Sequence, residues 1–277
     1  MADKKPRFEE YPKWMKKQFG KKLAANSETY YRSVANIVRA DFSDSGFWKE
    51  LLRSMPMFRD EYLVETSYPL FIQVGPALET KLEIKPFDSF LRKTYRKNIL
   101  NNKNWPEEPP SGWITPDNWY SKINDMVRTL FAVKYLDGVK FLVDKIESLG
   151  QQHGLECRVD FEAKEEGYYA AHVYVTPQFV IPTMSWKTEQ TSVDIEMQIT
   201  TQLQEVIRQL LHKYYAEKRC ELRAELLKWQ WDYKCDEFSA NYLGHVLHYV
   251  EGMIMEIRDK EQGGGRKHEE PKILEVS

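Results

Sequence analysis

Asp125-Met-Val-Arg-Thr-Leu-Phe-Ala-Val-Lys-Tyr135 is the stretch that decides how this chain folds. Val127, Leu130, Phe131 and Val133 make residues 126–135 an apolar strand. Asp137 then stands as a helix cap, with a helix running from 138 to about 150. Residues 155–163 alternate as a strand. In 169–176, Ala171, Val173 and Val175 share one face; in 192–200, Val193, Ile195, Met197 and Ile199 do the same. Upstream, Leu82-Glu-Ile-Lys85 is a short strand stopped by Pro86. Strands with one intervening helix predict an α+β fold, a mixed sheet of about five strands flanked by helices.

The flanks read as helical. Tyr30, Val34, Ile37 and Val38 fall on one face, and Phe47, Trp48, Leu51 and Leu52 open a second stretch that Asp44 or Ser45 caps. Pro56 and Pro69 punctuate this region, and Pro177 and Pro182 close a loop. Residues 88–101 predict a helix with Asp88 at its start and a basic second half. The loop 103–118 holds Trp105 and Trp113 and is expected to be ordered by them. Apolar positions recur at helical spacing from Thr201 to about Trp231 and again from Asp236 to Arg258. The expected organisation is therefore an N-terminal helical region (1–80), an α/β domain (81–219), a C-terminal helical extension (220–261) and a disordered tail (262–277).

Composition narrows the function. A formal net charge of −2 argues against a generally basic nucleic-acid coat. Positive charge is concentrated in the first 22 residues and in Arg92, Lys93, Arg96 and Lys97; the first run reads as a solvated arm or helix face. Three cysteines with no close pairing suit a reducing cytoplasm. The N-terminus has no apolar leader, and no apolar run is long enough for a bilayer, so no membrane role is expected. His212, Cys220, Cys235, His245 and His248 do not have the spacing of a zinc finger or ribbon.

Three segments carry chemistry. In Lys85-Pro-Phe-Asp-Ser89-Phe-Leu-Arg92-Lys93, two lysines and a hydroxyl recur at intervals of four around a helix start, a setting that cradles polyphosphate. Asp125 stands before one strand, while Asp194, Glu196 and Gln198 share a face of another. A carboxylate from each of two neighbouring strands suits Mg²⁺, which takes a few hard oxygens and keeps waters and phosphate oxygens as its other ligands. Between them, Gly167 permits close backbone approach, Tyr168 offers a ring face to a purine, and His172 is placed to touch phosphate or anchor a network.

In this order, the segments resemble the synthetase domain of the RelA/SpoT family over about half the chain. Lys85, Ser89 and Lys93 match its K-x-x-x-S-x-x-x-K element. Asp125 matches its metal-binding Asp. Gly167, Tyr168 and His172 match G-Y-x-x-x-H, and Glu196, Gln198 and Ile199 match E-x-Q-I, followed by a helix containing His212. The chain looks like the standalone members, with no hydrolase segment expected before the domain. The resemblance implies a nucleotidyltransferase-like fold and an ATP-dependent alarmone synthetase of the stringent response, a pyrophosphokinase that moves β,γ-pyrophosphate from ATP to the 3′-hydroxyl of GDP or GTP.

On that resemblance, Lys85, Ser89, Arg92, Lys93 and Arg128 hold donor phosphates. Tyr168, His172 and Gln198 serve the acceptor. Asp125 and Glu196 bind Mg²⁺, and Glu196 also receives the hydroxyl proton. The sequence departs from the family at Glu83, Leu130, Ala170 and Thr200; three of these, Glu83, Leu130 and Thr200, stand where the family places arginines. Two alternatives stay open: a toxin-like relative that acts on the 3′ end of tRNA and answers to an antitoxin partner, and a silent nucleotide- or partner-binding protein. The aromatic, amphipathic segment 238–258 is expected to dock on the domain or to form a homo-oligomer interface.

Overall fold

The computed structural model describes residues 4–20, 25–71, 81–115, 117–183, 187–218 and 229–261. After a short turn at Phe8–Glu10, α1 spans Tyr11–Phe19, α2 Ala25–Asp44 and α3 Gly46–Thr66. Ser45 is the residue that caps α3, accepting a hydrogen bond from Trp48 N at 3.2 Å. Pro56 lies inside α3 and does not end it. Leu51, Met55, Phe58 and Tyr62, spaced four, three and four apart, bury the stripe that carries the helix past it.

β1 is Glu83–Ile84, and α4 runs Phe87–Tyr95 into a wide π-type turn at Arg96–Leu100. A short α5, Trp119–Lys122, precedes β2 at Val127–Val133. Then come α6 (Leu136–Gln152), β3 (Glu156–Ala163) and β4 (Tyr169–Thr176). The proline-bounded segment expected to be a loop is a hairpin instead, β5 (Gln178–Pro182) with β6 (Thr188–Ser192). Its second strand is almost wholly polar, so it lacks the apolar alternation that marks a half-buried strand. β7 therefore starts at Ile195 rather than Ser192 and ends at Thr201. α7 is Gln202–Lys218, and α8 is Asp236–Glu261. The expected disordered tail and Cys220 lie outside the described residues.

The sheet is mixed, in the order β1-β2-β7-β4-β3, with β2 and β7 parallel and the other pairs antiparallel. A parallel pair needs a long crossover, and residues 134–194 supply it. One sheet face is apolar: Val127, Phe131 and Val133, then Ile195, Met197 and Ile199, then Ala171, Val173 and Val175, all buried. It packs on α6 through Val139, Leu142, Val143 and Ile146, with α3 behind α6 and α2 laid beside it against β1 and β2. Each of these side chains larger than alanine contributes about 1.5–3 kcal/mol by leaving water. The other face is polar.

Asp137 does not cap α6. It accepts from Tyr62 Oη at 2.6 Å and from Arg258 Nη1 and Nη2 of α8 at 3.1 and 2.5 Å, tying the C-terminal helix to α3 and α6. At the other end of the chain, α1 lays Tyr11 and Met15 against Tyr95 and Ile99 and leaves Lys13, Lys16 and Lys17 in water. Trp14 packs on Trp105 and Trp113, so the tryptophans do order the 103–118 loop. At the centre of this contact sits Asn98, fully buried. It donates to Tyr11 Oη (2.9 Å) and Ile114 O (2.8 Å) and accepts from Ile114 N (3.0 Å).

Removing that amide strands two buried backbone groups. Asn98→Ala is therefore expected to lower stability by about 2 kcal/mol, read as a lower urea midpoint with an unchanged slope.

Candidate nucleotide-binding site

Register builds the polar face. Glu83 pairs with Arg128, Arg128 with Glu196, Glu196 with Tyr174, and Tyr174 with Arg158. Paired residues point to the same side, so these five side chains form one row across all five strands. The adjacent row holds Leu130, Gln198, His172 and Asp160.

At one end, Lys85 N continues the β1–β2 ladder by donating to Met126 O at 2.9 Å. That fixes the Lys85 side chain beside Asp125, and Lys85 Nζ donates to Asp125 Oδ2 at 2.8 Å. Lys93, one face of α4 further on, brings Nζ to 2.9 Å from Asp125 Oδ1 and donates to Asn124 Oδ1 at 2.8 Å. Asp125 is buried, so desolvation alone would raise its pKa. The two ammonium groups outweigh it and hold the carboxyl at about 2. Burial pushes Lys85 below its ordinary value in spite of Asp125, with Arg128 and Lys93 acting in the same direction.

Lys97 belongs to this cluster as well. Its charge is disfavoured first by burial and then by Lys93, is supported by Asp125, and is opposed again by Lys122 and Arg158. Arg158 lies 4.1 Å over the Tyr174 ring, and its one weak carboxylate contact is Asp194 at 3.4 Å. Lys85 and Lys93 thus hold the carboxylate of Asp125 between them, Lys97 lies within electrostatic reach of it, and Arg158 in turn lies within reach of Lys97. That surplus of positive charge is suited to a polyphosphate. Ser89 is exposed on α4. Arg92 is engaged elsewhere: it donates to Asp88 at 2.7 Å and lies 4.7 Å over the Phe8 ring.

Glu196 is buried among donors. His172 Nδ1 stands 2.9 Å and Tyr174 Oη 3.3 Å from Oε1, while Gln198 Nε2 donates to Oε2 at 2.9 Å. His172 turns its other nitrogen to Tyr168 Oη (3.1 Å) and Glu162 Oε2 (3.3 Å). Burial works against a charged imidazole here. The bonds to Glu162 and Glu196 prevail and raise its pKa to about 9, so both nitrogens carry protons at neutral pH. The His172 contact in turn holds Glu162 at about 2, with Lys164 assisting. Tyr168 is half-buried, and its ring faces the Lys164 ammonium at 5.0 Å.

The residues fit a divalent cation unevenly. Both oxygens of Asp125 are engaged by ammonium groups, Oδ2 by Lys85 and Oδ1 by Lys93 at 2.9 Å, so a metal would have to displace one of them. Both oxygens of Glu196 already accept. Among the described residues no group of three or more His, Cys, Asp or Glu side chains is gathered for a metal, and His245 and His248 face Tyr169 instead. No described helix is long and apolar enough to cross a membrane.

Arg158, Glu162 and Tyr174 carry no site role in the sequence reading, and Lys97 figures there only as part of a basic run able to face phosphates. Arg158, Asp160 and Glu162 alternate along β3, a charged period of two on a strand whose far face, Cys157, Val159, Phe161 and Ala163, is apolar. That pattern was the available signal, and register alone says which strand they face.

No family model and no curated protein matches the chain. Among solved structures it is similar to a GTP pyrophosphokinase family protein from Streptococcus pneumoniae, at 16% identity over 81% of this chain and 95% of that one, TM-score 0.48. It is also similar to small alarmone synthetase 2 from Bacillus subtilis (16% identity, 86% and 99%, TM-score 0.45). A third is small alarmone synthetase 1 from Bacillus subtilis bound to its product pppGpp (16%, 83% and 94%, TM-score 0.46).

Two predictions follow from the charge balance. Inorganic tripolyphosphate is expected to bind the wild-type chain, and Lys97→Ala with Arg158→Ala to weaken that binding at least tenfold by calorimetry, since each charge-assisted bond is worth about 1.5–3 kcal/mol. Asp125→Asn, which leaves two part-buried lysines without a counter-charge, is expected to cost about 3 kcal/mol in urea unfolding at pH 7.

Proposed function

We propose that this protein is a pyrophosphotransferase that moves the β,γ-pyrophosphate of ATP onto the 3′-hydroxyl of a guanine nucleotide, GDP or GTP. The observation that carries this reading is the adjacency created by the sheet. Lys85, Lys93 and Lys97 gather at Asp125 beside the row that holds Glu196 and Arg158, and His172 and Tyr168 adjoin Glu196.

The chemistry needs little beyond positioning and charge neutralisation. The acceptor 3′-oxygen bonds to the β-phosphorus of ATP, and the bond from that phosphorus to the oxygen bridging it to the α-phosphorus breaks. AMP leaves with the bond's electron pair. The hydroxyl proton goes to a carboxylate, and Glu196 is the one at hand. Lys85, Lys93, Lys97 and Arg158 bind the donor phosphates. Tyr168 stacks on the acceptor base, and His172, held as an imidazolium, offers its charge to the acceptor side. Asp125 would hold Mg²⁺ through Oδ1 once Lys93 turned from it to the phosphates, and Glu196 would join it by giving up its bond from Gln198. The ion, when bound, neutralises charge on the transferring phosphates.

A second reading has its own support. Glu196 is saturated by three donors, and Glu83 rather than a cation faces Arg128. A chain that binds purine nucleotides without transferring pyrophosphate fits those two facts.

Incubation with γ-labelled ATP and Mg²⁺, in parallel with GDP, GTP, ATP alone and deacylated tRNA, separates the readings. Label on a guanine nucleotide is the expected result; label on tRNA alone overturns the acceptor assignment. Nucleotide binding without transfer favours the second reading. Glu196→Gln is expected to lower turnover at least a hundredfold with the fold intact, and Tyr168→Ala to raise acceptor KM about tenfold. An active Glu196→Gln protein overturns the role given to that carboxylate.

A further inference from the structure

The β3–β4 turn that presents Tyr168 is not self-supporting. Lys164 N bonds Tyr168 O (3.0 Å) and Gly167 N bonds Lys164 O (2.9 Å), closing a tight turn with Gly167 at φ +74°. Its outer side rests on α8, a helix that lies beyond the motif-bearing segments. The contact is backbone against backbone. A Cβ on Gly167 would overlap Asn241 O and stand 3.0 Å from His245 N, while a Cβ on Gly244 would overlap Gly167 O. Both positions need glycine for the approach, and Gly167 needs it again for its left-handed φ.

Polar groups lock the crossing. Glu165 O can only accept, so His245 Nε2 donates to it at 2.8 Å. In the neutral ring Nδ1 is then an acceptor, and Tyr169 Oη donates to it at 2.8 Å. The Tyr169 ring lies flat on His248, 3.7 Å between centroids and 7° between planes. Gln204 of α7 reaches Gly244 O at 3.4 Å. Asn241, Gly244, His245, His248 and Glu251 recur at intervals of three and four, and this polar, small-residue stripe is the side of α8 turned to the sheet. Arg258, seven residues beyond Glu251, anchors the same helix on Asp137.

We infer that α8 is a working part of the acceptor site: through the Gly167–Gly244 crossing and the His245 bridge it fixes the turn that carries Tyr168, and so sets affinity for the purine nucleotide acceptor but not for the donor. Gly244 and His245 are positioning residues, for neither touches the reacting groups. The inference rests on the pyrophosphotransferase reading for the identity of the ligand, and on geometry alone for the clamp. Ordering the turn in the folded chain removes a cost that acceptor binding would otherwise bear.

The test uses the full chain with His245→Ala, Gly244→Ala and, as the mildest change, Tyr169→Phe. Acceptor KM and GDP dissociation constant are measured beside ATP KM and tripolyphosphate binding, with far-UV circular dichroism to check the fold and hydrogen exchange over residues 164–168. The expected result is about a tenfold weaker acceptor in His245→Ala, a smaller shift in the same direction in Tyr169→Phe, and donor affinity within twofold of wild type. Exchange in the turn rises with the acceptor constant. A folded His245→Ala protein with faster exchange and unchanged acceptor KM overturns the inference, and so does equal weakening of donor and acceptor. Gly244→Ala extends the series where it folds; His245→Ala decides the matter where it does not. If the wild type binds no purine nucleotide, the functional reading falls and takes the acceptor role with it. Hydrogen exchange then judges the clamp by itself, and unchanged protection in His245→Ala removes that too.

Discussion

The pairing of β2 with β7 is the constraint on which the rest depends. It is the parallel step in an otherwise antiparallel sheet, and it brings Arg128 opposite Glu196 from 68 residues away in sequence. Side chains alternate along both strands. A slip of one residue would turn Glu196 and Gln198 into the apolar layer and push Ile195, Met197 and Ile199 out of it. The core on the α6 side therefore enforces the order of charges on the other side. Hydrophobic burial is what positions the site, although no apolar residue takes part in its chemistry.

The site is an arrangement of charges that are incompletely matched. At one end, cations outnumber carboxylates, and burial already pushes Lys85 and Lys97 towards losing their charge. At the other, His172 sits between Glu162 and Glu196 and is held protonated by both. A polyphosphate arriving at the first end would relieve the repulsion there. Both ends flank Glu196's row, so charge added at one is felt across a sheet in which neighbouring strands lie about 5 Å apart.

The helices outside the sheet serve the same end. α1 covers the π-type turn that carries Lys97, and α8 covers the turn that carries Tyr168. Neither supplies a group to the centre. Each fixes a segment that does, which explains why small and polar residues such as Asn98, Gly244 and His245 occupy positions where a packing hydrophobe would be expected.

Much of this was legible in the residues themselves. The alternation of Val127 to Val133 and of Ile195 to Ile199 gave the strands because half-buried strands must alternate. Lys85, Lys93, Asp125, Glu196, Tyr168 and His172 were visible because their types and spacing suit phosphate, metal and base. The polar β6 strand was not visible, since a hairpin held by backbone bonds needs no apolar pattern. Asp137 looked like a cap because its position permits one, whereas Arg258, 121 residues later, competes for the same oxygens. The sequence by itself determined which faces are apolar and which residues carry chemistry, for those follow from local period and side-chain type. Tertiary structure alone decided that Lys97 comes within reach of Asp125, that Arg158 falls in Glu196's row, that Glu196 is tied to His172, and that α8 holds the Gly167 turn. Those are contacts between distant segments, and strand order and register, not local sequence, set them.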